Sequence, residues 1–474
     1  MLLKHKDYRL FVQNLIIENT KDNFFFYKKL KINLKPIQYR LVYVSLLNDP
    51  DFFYFYNNLD KKKNFNFSST ISYKYAALVK KKNLIIKLNF NLRLIFNYIK
   101  NNELFYNLYF VLINFLFSQK KNKKFFLCFI HKKKLFYHIY FLLKKIRYKC
   151  IFIVLSKKQQ KELKLDDSNS IVLPSINLSE TSLFFNQNAN INFYIKSVYK
   201  IFENFSPKFI LSVEGDHFFS EILSQVGRAF NVKSVCLQWG AFPFSKPKLS
   251  FRNMSQDYFI SWGKFFTKQL QPYNKKVKFL DFGNYSLKKI KSKTNKVVFF
   301  LQPYDFSFTK NSFLELCELA FRLAKKFPDW NFVIREHPDF TFEDLYSKNF
   351  KLNVKNIILE KYIEKNLSES LSESKISVGV SSSALIESLF FDTIPCVLQL
   401  NKNMKFVPNF KKLQIGLVES NSDSMENKIS NLIRNKNFLH KIQNKISMKK
   451  IIFFQNTKYK SLRIISSFLN NKLN

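Results

Sequence analysis

Lys375–Leu400, KISVGVSSSALIESLFFDTIPCVLQL, reads as strand, serine-lined turn, short helix, tight turn and strand. Ile376, Val378 and Val380 alternate as a strand entering a sheet does. Ser381, Ser382 and Ser383 stand where that strand hands over to a helix. A hydroxyl residue there can cap backbone N–H groups left without partners. Leu385 and Leu389, like Ile386 and Phe390, pair one helical turn apart, and Asp392-Thr393 breaks the helix before Pro395 opens CVLQL. N–H groups, hydroxyls and the positive end of a helix dipole would converge on one point, which suits a phosphate or diphosphate. The same serines would serve equally as plain helix caps.

A second stretch, Trp330–Pro338 (WNFVIREHP), is an apolar strand ending in Arg335-Glu336-His337-Pro338. The proline biases His337 toward an extended backbone and discourages a helix. An imidazole is thereby expected at the carboxyl end of a strand, where open α/β sheets bind ligands. The HP pair followed by a serine cluster resembles the HP and serine motifs of bacterial sialyl- and polysialyltransferases. CDP-glycerol glycerophosphotransferases and capsule Kdo transferases are similar in the same places. The resemblance runs from about Phe125 through the second domain and implies the GT-B architecture, two Rossmann-like domains facing across a cleft.

With 474 residues, 46% of them hydrophobic, the chain can hold two ordinary domains and a further segment. The 57 Phe and 23 Tyr, with abundant Lys and Asn, have the look of an AT-rich genome. A formal net charge of +44 favours polyanionic surroundings: nucleic acid, anionic lipid or an acidic glycan. Five scattered cysteines without a CxxC pair read as reduced core residues of a cytosolic protein, and no zinc site is expected. The start, MLLKHKDYRLFVQN, lacks the apolar core of a signal peptide, and Leu104–Phe117 is too short and too interrupted to span a bilayer.

The expected fold class is α/β: two Rossmann-like domains in the GT-B arrangement behind an N-terminal basic, aromatic-rich extension. Residues 1–123, with FFFY, FFYFY and the lysine runs at 61–63 and 80–82, are expected as a mainly helical extension. Residues 124–290 are expected as the acceptor-side domain, and 291–474 as the donor-binding domain with closing helices. FFLCFI, a helix and CIFIVL form a βαβ unit, implying a parallel sheet. Its first turn lacks the glycine pattern of dinucleotide enzymes, so a dehydrogenase is disfavoured and no cofactor is expected. KFILSV ends in Glu214-Gly215-Asp216-His217, and SVCLQWG ends in Gln238-Trp239-Gly240. None of the seven glycines precedes Gly215, so each is expected to answer a backbone need.

The resemblance implies a metal-independent glycosyltransferase using a nucleotide-activated sugar, CMP- or CDP-type favoured, in capsule, lipopolysaccharide or other surface glycan assembly. Arg335, His337, Ser381, Ser382 and Ser383 would bind donor phosphate, and Glu387 the ribose or sugar unless it is merely a solvent-facing helix glutamate. Gln238 and Gly240 stand where related enzymes often carry QHG; here Trp239 replaces the histidine. Sialyltransferases carry two acids before a glycine as the catalytic base. This chain has Val213-Glu214-Gly215, so only Glu214 matches, with Asp216 and His217 as neighbours that could take the role. Either acid could instead cap the helix that follows. Asp166-Asp167 lies in a polar loop rather than at a strand end, so no metal site is expected. The expected partners are a nucleotide-sugar donor, a glycan or lipid-linked acceptor and an anionic membrane surface, placing the enzyme in the cytoplasm at the inner face of the plasma membrane. A CDP-glycerol-type phosphotransferase and a UDP-sugar 2-epimerase-like enzyme are alternatives. A nucleic-acid-binding protein is a distant one, since the lysines are dispersed and no helix-turn-helix, zinc-finger or RRM signature is present.

Overall fold

The computed structural model describes residues 11–14, 16–17, 24–37, 39–40, 124–131, 133–173, 187–242, 249–288, 292–303, 308–337, 354–400 and 406–473. The FFYFY run, the lysine clusters at 61–63 and 80–82, Leu104–Phe117 and Pro338 lie outside them. Among the described residues no helix is long and apolar enough to cross a membrane.

The described part of the N-terminal stretch is mixed, helical at 11–14, 16–17, 34–37 and 39–40 with a hairpin between. Phe24–Tyr27 (β1) and Leu30–Asn33 (β2) pair as an antiparallel hairpin. Its alternation decides its packing. Leu30 and Ile32 are buried while Lys29 and Lys31 stay in solvent, with Lys29 over the Phe230 ring and Lys31 over Phe24. Leu30, Ile32, Leu34 and Ile37 join the same apolar cluster as Phe129, Ile153 and Phe219, so the hairpin is part of the first domain's core.

That domain continues with Phe125–Phe129 (β3), the helix Lys133–Leu143 (α1), Lys149–Val154 (β4), Lys157–Glu162 (α2) and Ser170–Val172 (β5). Gln187–Asn204 (α3), Phe209–Val213 (β6), Phe218–Ala229 (α4) and Lys233–Leu237 (β7) follow, then Tyr258–Ser261 (β8), Lys264–Leu270 (α5) and Lys278–Asp281 (β9). The near-continuous apolar runs FFLCF and FILSV are buried along their whole length, as strands covered on both faces must be. Seven strands pair in parallel in the order β5-β4-β3-β6-β7-β8-β9. Chain order reverses between β3 and β6, and this switch point is where open sheets of this kind leave a crevice.

The second domain repeats the logic with Lys296–Phe300 (β10), Lys310–Lys326 (α6), Asn331–Arg335 (β11), Ile357–Glu360 (β12), Leu367–Glu373 (α7) and Ile376–Gly379 (β13). Ala384–Glu387 (α8), Ile394–Leu398 (β14), Phe410–Leu413 (α9), Leu417–Glu419 (β15), Ser422–Arg434 (α10) and Lys436–Lys449 (α11) complete it. Its six parallel strands run β12-β11-β10-β13-β14-β15, with the switch between β10 and β13. Lys458–Asn471 (α12) crosses back to the first domain, where Phe468 packs on Tyr258 and Asn470 meets Arg147.

Aromatic contacts fasten the domains at the carboxyl ends of the first sheet. Trp262, just after β8, lies 5.8 Å from Phe454, which lies 5.4 Å from Phe390 in the 3-10 turn after α8. Gly263 lets the two backbones approach, because a Cβ there would stand 2.6 Å from the Phe453 carbonyl oxygen.

One buried cation ties the helical turn after the hairpin to α4 and to the turn after β6. Arg40 and Glu221 are fully buried and their charged atoms are 2.8 Å apart. Arg40 Nε also donates to the Gly215 carbonyl at 3.1 Å and Nη1 to Pro36 O at 2.7 Å. Glu221 accepts in turn from the Ser255 amide at 2.8 Å. Arg40→Ala leaves a buried carboxylate without its cation, which typically costs about 3–5 kcal/mol. A large drop in the urea midpoint of tryptophan fluorescence is therefore expected; an unchanged midpoint would show that the hairpin is not integral to the domain.

Candidate active site

Each sheet carries a polar cluster at its switch point. In the first domain, β6 ends in a turn with Glu214 at φ +75° and Gly215 at φ +76°. Two successive left-handed residues are tolerable at glycine and strained at glutamate, and such strain tends to gather at functional sites. A Cβ on Gly215 would also stand 2.9 Å from Cys236 Sγ, so the position accepts only glycine. The bend brings the Glu214 and Asp216 carboxylates to His131, the residue after the β3 run, with Nε2 at 3.5 Å from Glu214 and 3.8 Å from Asp216. All three groups are partly buried, with side chains 10–25% exposed.

His131 was not singled out from the sequence. Its signal was a polar residue closing FFLCFI at the strand beside Glu214, legible only once the β3–β6 pairing is known. The three ligand atoms lie within 4.8 Å of one another, so the group can relay a proton or hold a divalent cation. His217, the fallback base, is placed otherwise: it is the N-cap of α4, and its Nδ1 accepts from the Phe219 amide at 3.2 Å. The capping role considered for Glu214 or Asp216 thus falls to the histidine.

Gln238 and Gly240 divide. Gln238 is fully buried, its Oε1 accepting from the Trp262 amide at 2.9 Å and its Nε2 donating to Gly240 O at 2.9 Å. Its carbonyl receives the Trp262 indole and the Tyr285 hydroxyl, both at 3.1 Å, so the residue braces the loop after β7. Gly240 faces open space, with nothing within 4 Å of where a Cβ would be.

In the second domain the serine turn follows β13 and is held from β10. The Ser381 amide donates to Gln302 Oε1 at 3.0 Å and its hydroxyl to the same oxygen at 3.3 Å. Gln302, in LQP after β10, is the second residue that sequence reading passed over; a lone polar group closing VVFFL was its signal. Ser382 Oγ accepts from the Ala384 amide at 3.3 Å, while Ser383, the N-cap, makes no side-chain cap bond. The amides of Ser382 and Ser383 take no partner among the described residues, leaving two N–H groups for an anion.

Two expectations for this turn are corrected. The helix is four residues long before it tightens into a 3-10 turn ending at left-handed Asp392, so few peptide dipoles align and the N–H groups themselves must carry anion binding. Glu387 is not a solvent-facing glutamate but is 9% exposed, and burial pushes its carboxyl up to about 7 against a hydrogen bond with Ser383 that favours the charge.

Arg335 and His337 leave the neighbouring strand β11. Arg335 is buried, its guanidinium on the Glu360 carboxylate and, at 2.8 Å, on the Lys365 carbonyl. Half-buried His337 follows two residues past the strand, one strand over from Gln302.

No family model matches the sequence, and no curated protein matches it. Solved structures do. A Listeria monocytogenes protein assigned as a UDP-N-acetylglucosamine 2-epimerase superposes with a TM-score of 0.53 at 12% identity, over 73% of this chain and 96% of that one. A second UDP-N-acetylglucosamine 2-epimerase gives 0.51 at 13% identity, over 73% and 95%. The wall teichoic acid polymerase TagF gives 0.46 at 12%, over 73% and 89%. The chain has the two-domain, parallel-sheet α/β fold of the GT-B type.

The Glu387 carboxyl gives a pH test. Its native pKa lies above the ordinary carboxylate value, so the unfolded chain releases this proton first as pH rises. Stability from this group is therefore present below about pH 4.5 and lost by pH 7, by roughly 3 kcal/mol at ~1.4 kcal/mol per unit. Glu387→Gln should melt near the parent at pH 5 and clearly above it at pH 8. Equal melting temperatures at both pH values would place the carboxylate in a solvated setting.

Proposed function

We propose that the chain is a nucleotide-sugar-dependent glycosyltransferase of surface glycan assembly, with a CMP- or CDP-type donor. The observation that carries this reading is the pair of polar clusters at the two switch points: anion donors in one domain, a carboxylate pair with a histidine in the other. The donor's phosphates rest on the Ser382 and Ser383 amides and hydroxyls, with His337 beside them, so charge on the leaving nucleotide is stabilised by fixed donors rather than a metal. Glu387 faces the ribose or sugar. Arg335 shapes the floor through Glu360.

Glu214 takes the proton of the acceptor hydroxyl, and Asp216 and His131 hold its carboxylate in place. A UDP-sugar 2-epimerase-like activity is the second reading. It is supported by the fold shared with the two UDP-N-acetylglucosamine 2-epimerase structures, and it too needs a phosphate cradle and carboxylates. A CDP-glycerol-type phosphotransferase would use the same arrangement. The HP and serine motifs favour the transferase, and the charge of +44 suits a polyanionic acceptor or an anionic membrane surface.

The test separates binding from chemistry. Nucleotides (CMP, CDP, UDP, GDP) ranked by thermal shift identify the donor's leaving group. Glu214→Gln should keep that nucleotide's affinity and lose transfer, as expected for a group acting only in the transition state. His337→Ala should slow turnover by ~10²–10³-fold, and Ser382→Ala less. Normal transfer by both Glu214→Gln and Asp216→Asn would remove the proposed base. Conversion of the sugar nucleotide without any acceptor would favour the epimerase.

A further inference from the structure

Two cavities of similar size lie away from the serine turn and the carboxylate pair, and they differ in charge balance. One, of about 570 Å³ in the second domain, is lined by Lys296, Glu360, Lys365 and Glu373 among others. Its charges pair with one another: Lys296 lies 3.4 Å from Glu360 and 3.1 Å from Glu373. The other, of about 650 Å³, opens on the flank of the first domain. Five cations line it, Lys35, Arg228, Arg252, Lys275 and Lys276, and among the described residues no carboxylate does. Arg228 meets Asp257 at 3.7 Å, but that acid already accepts from the Ser234 amide and hydroxyl. Lys275 and Lys276 are exposed and make no ion pair among the described residues.

The walls that carry these cations are fixed. Buried Asn274 donates to the carbonyls of Phe251 and Leu270 at 2.9 and 2.8 Å and accepts from the Met254 amide at 2.8 Å, clamping 249–256 to 271–276. Asn253, at φ +51°, donates its amide to Tyr273 O at 3.0 Å, and the Arg252 guanidinium lies 4.8 Å from the Tyr273 ring centre. On the opposite wall, Asn33 and Gln225 exchange two hydrogen bonds of 2.7 and 3.0 Å. Lys275 and Lys276, exposed and without an ion pair among the described residues, stand on this fixed wall for an anion to meet, and Tyr273 adds a flat face for a ring. The volume is that of a small-ligand site. Arg40 links this cavity to the reaction centre, donating to Pro36 O in the cavity wall and to Gly215 O beside the catalytic carboxylates.

We propose that this cavity is a second ligand site, for a short anionic glycan whose carboxylate or phosphate groups meet the five cations. The glycan class rests on the sugar-nucleotide reading; the anion chemistry rests on the cavity alone. It would anchor an acidic chain on the acceptor-side domain, away from the donor's serine turn.

The experiment is calorimetric titration of the full chain with tetragalacturonate, and with maltotetraose and a dT tetranucleotide for comparison. Lys275→Glu/Lys276→Glu should weaken tetragalacturonate binding by at least about tenfold. Lys428→Glu/Lys441→Glu, which removes as much charge from exposed helix positions in the second domain, should change it by less than about twofold. Thermal shift by the donor nucleotide should be unchanged in both variants, reporting an intact fold and separating this site from the donor site; Lys275→Ala/Lys276→Ala serves if the charge reversal fails to fold. Equal weakening by the two double variants would overturn the proposal in favour of diffuse attraction to a very basic protein. Cavity-dependent binding of the tetranucleotide above tetragalacturonate, or equal binding of neutral maltotetraose, would overturn the glycan assignment.

Discussion

The buried guanidinium of Arg40 is the contact on which the first domain depends. It neutralises Glu221 in the interior, where a lone carboxylate would be strongly disfavoured, and it holds the carbonyl of the left-handed Gly215. The turn it holds is the one that presents Glu214 and Asp216 to His131. A residue from the helical turn after the N-terminal hairpin, 175 positions away in sequence, thus holds the turn that carries the carboxylate pair. Chain topology does the rest, because parallel sheets leave their strand ends open only where the winding direction reverses.

The second domain solves the matching problem with a neutral brace. Gln302 pins Ser381 from the adjacent strand, and so leaves the next two amides facing outward with little help from a helix dipole. Burial of Glu387 one turn later removes a negative charge from the same place at low pH and restores it near neutrality. The proposed anion cradle is therefore built from backbone groups, hydroxyls and one titrating carboxyl, and Trp262–Phe454–Phe390 aromatic contacts join its domain to the other.

Much of this was legible in the sequence for physical reasons. Buried parallel strands write themselves as apolar runs, so FFLCF, FILSV and ISVG were readable, as were the helices between them. Both turns that end in polar or glycine residues were readable as strand ends. Illegible were the residues whose role depends on neighbours distant in sequence. His131 matters because β3 pairs with β6, Gln302 because β10 pairs with β13, and Arg40 because the helical turn that carries it packs on a helix nearly two hundred residues on. No local pattern encodes those pairings. Glu387 shows the same gap in reverse: helical spacing located it, but burial, which set its protonation, came from tertiary packing.

The central claim is that the donor's phosphates sit on the serine turn of the second domain while the carboxylates of the first stand across from them. A crystal structure of the chain with its tightest-binding nucleotide measures this directly. The account predicts phosphate oxygens at hydrogen-bond distance, ~2.7–3.2 Å, from the amides of Ser382 and Ser383, with Glu387 toward the ribose. Phosphates bound instead in the basic cavity of the first domain, away from the serine turn, would contradict it.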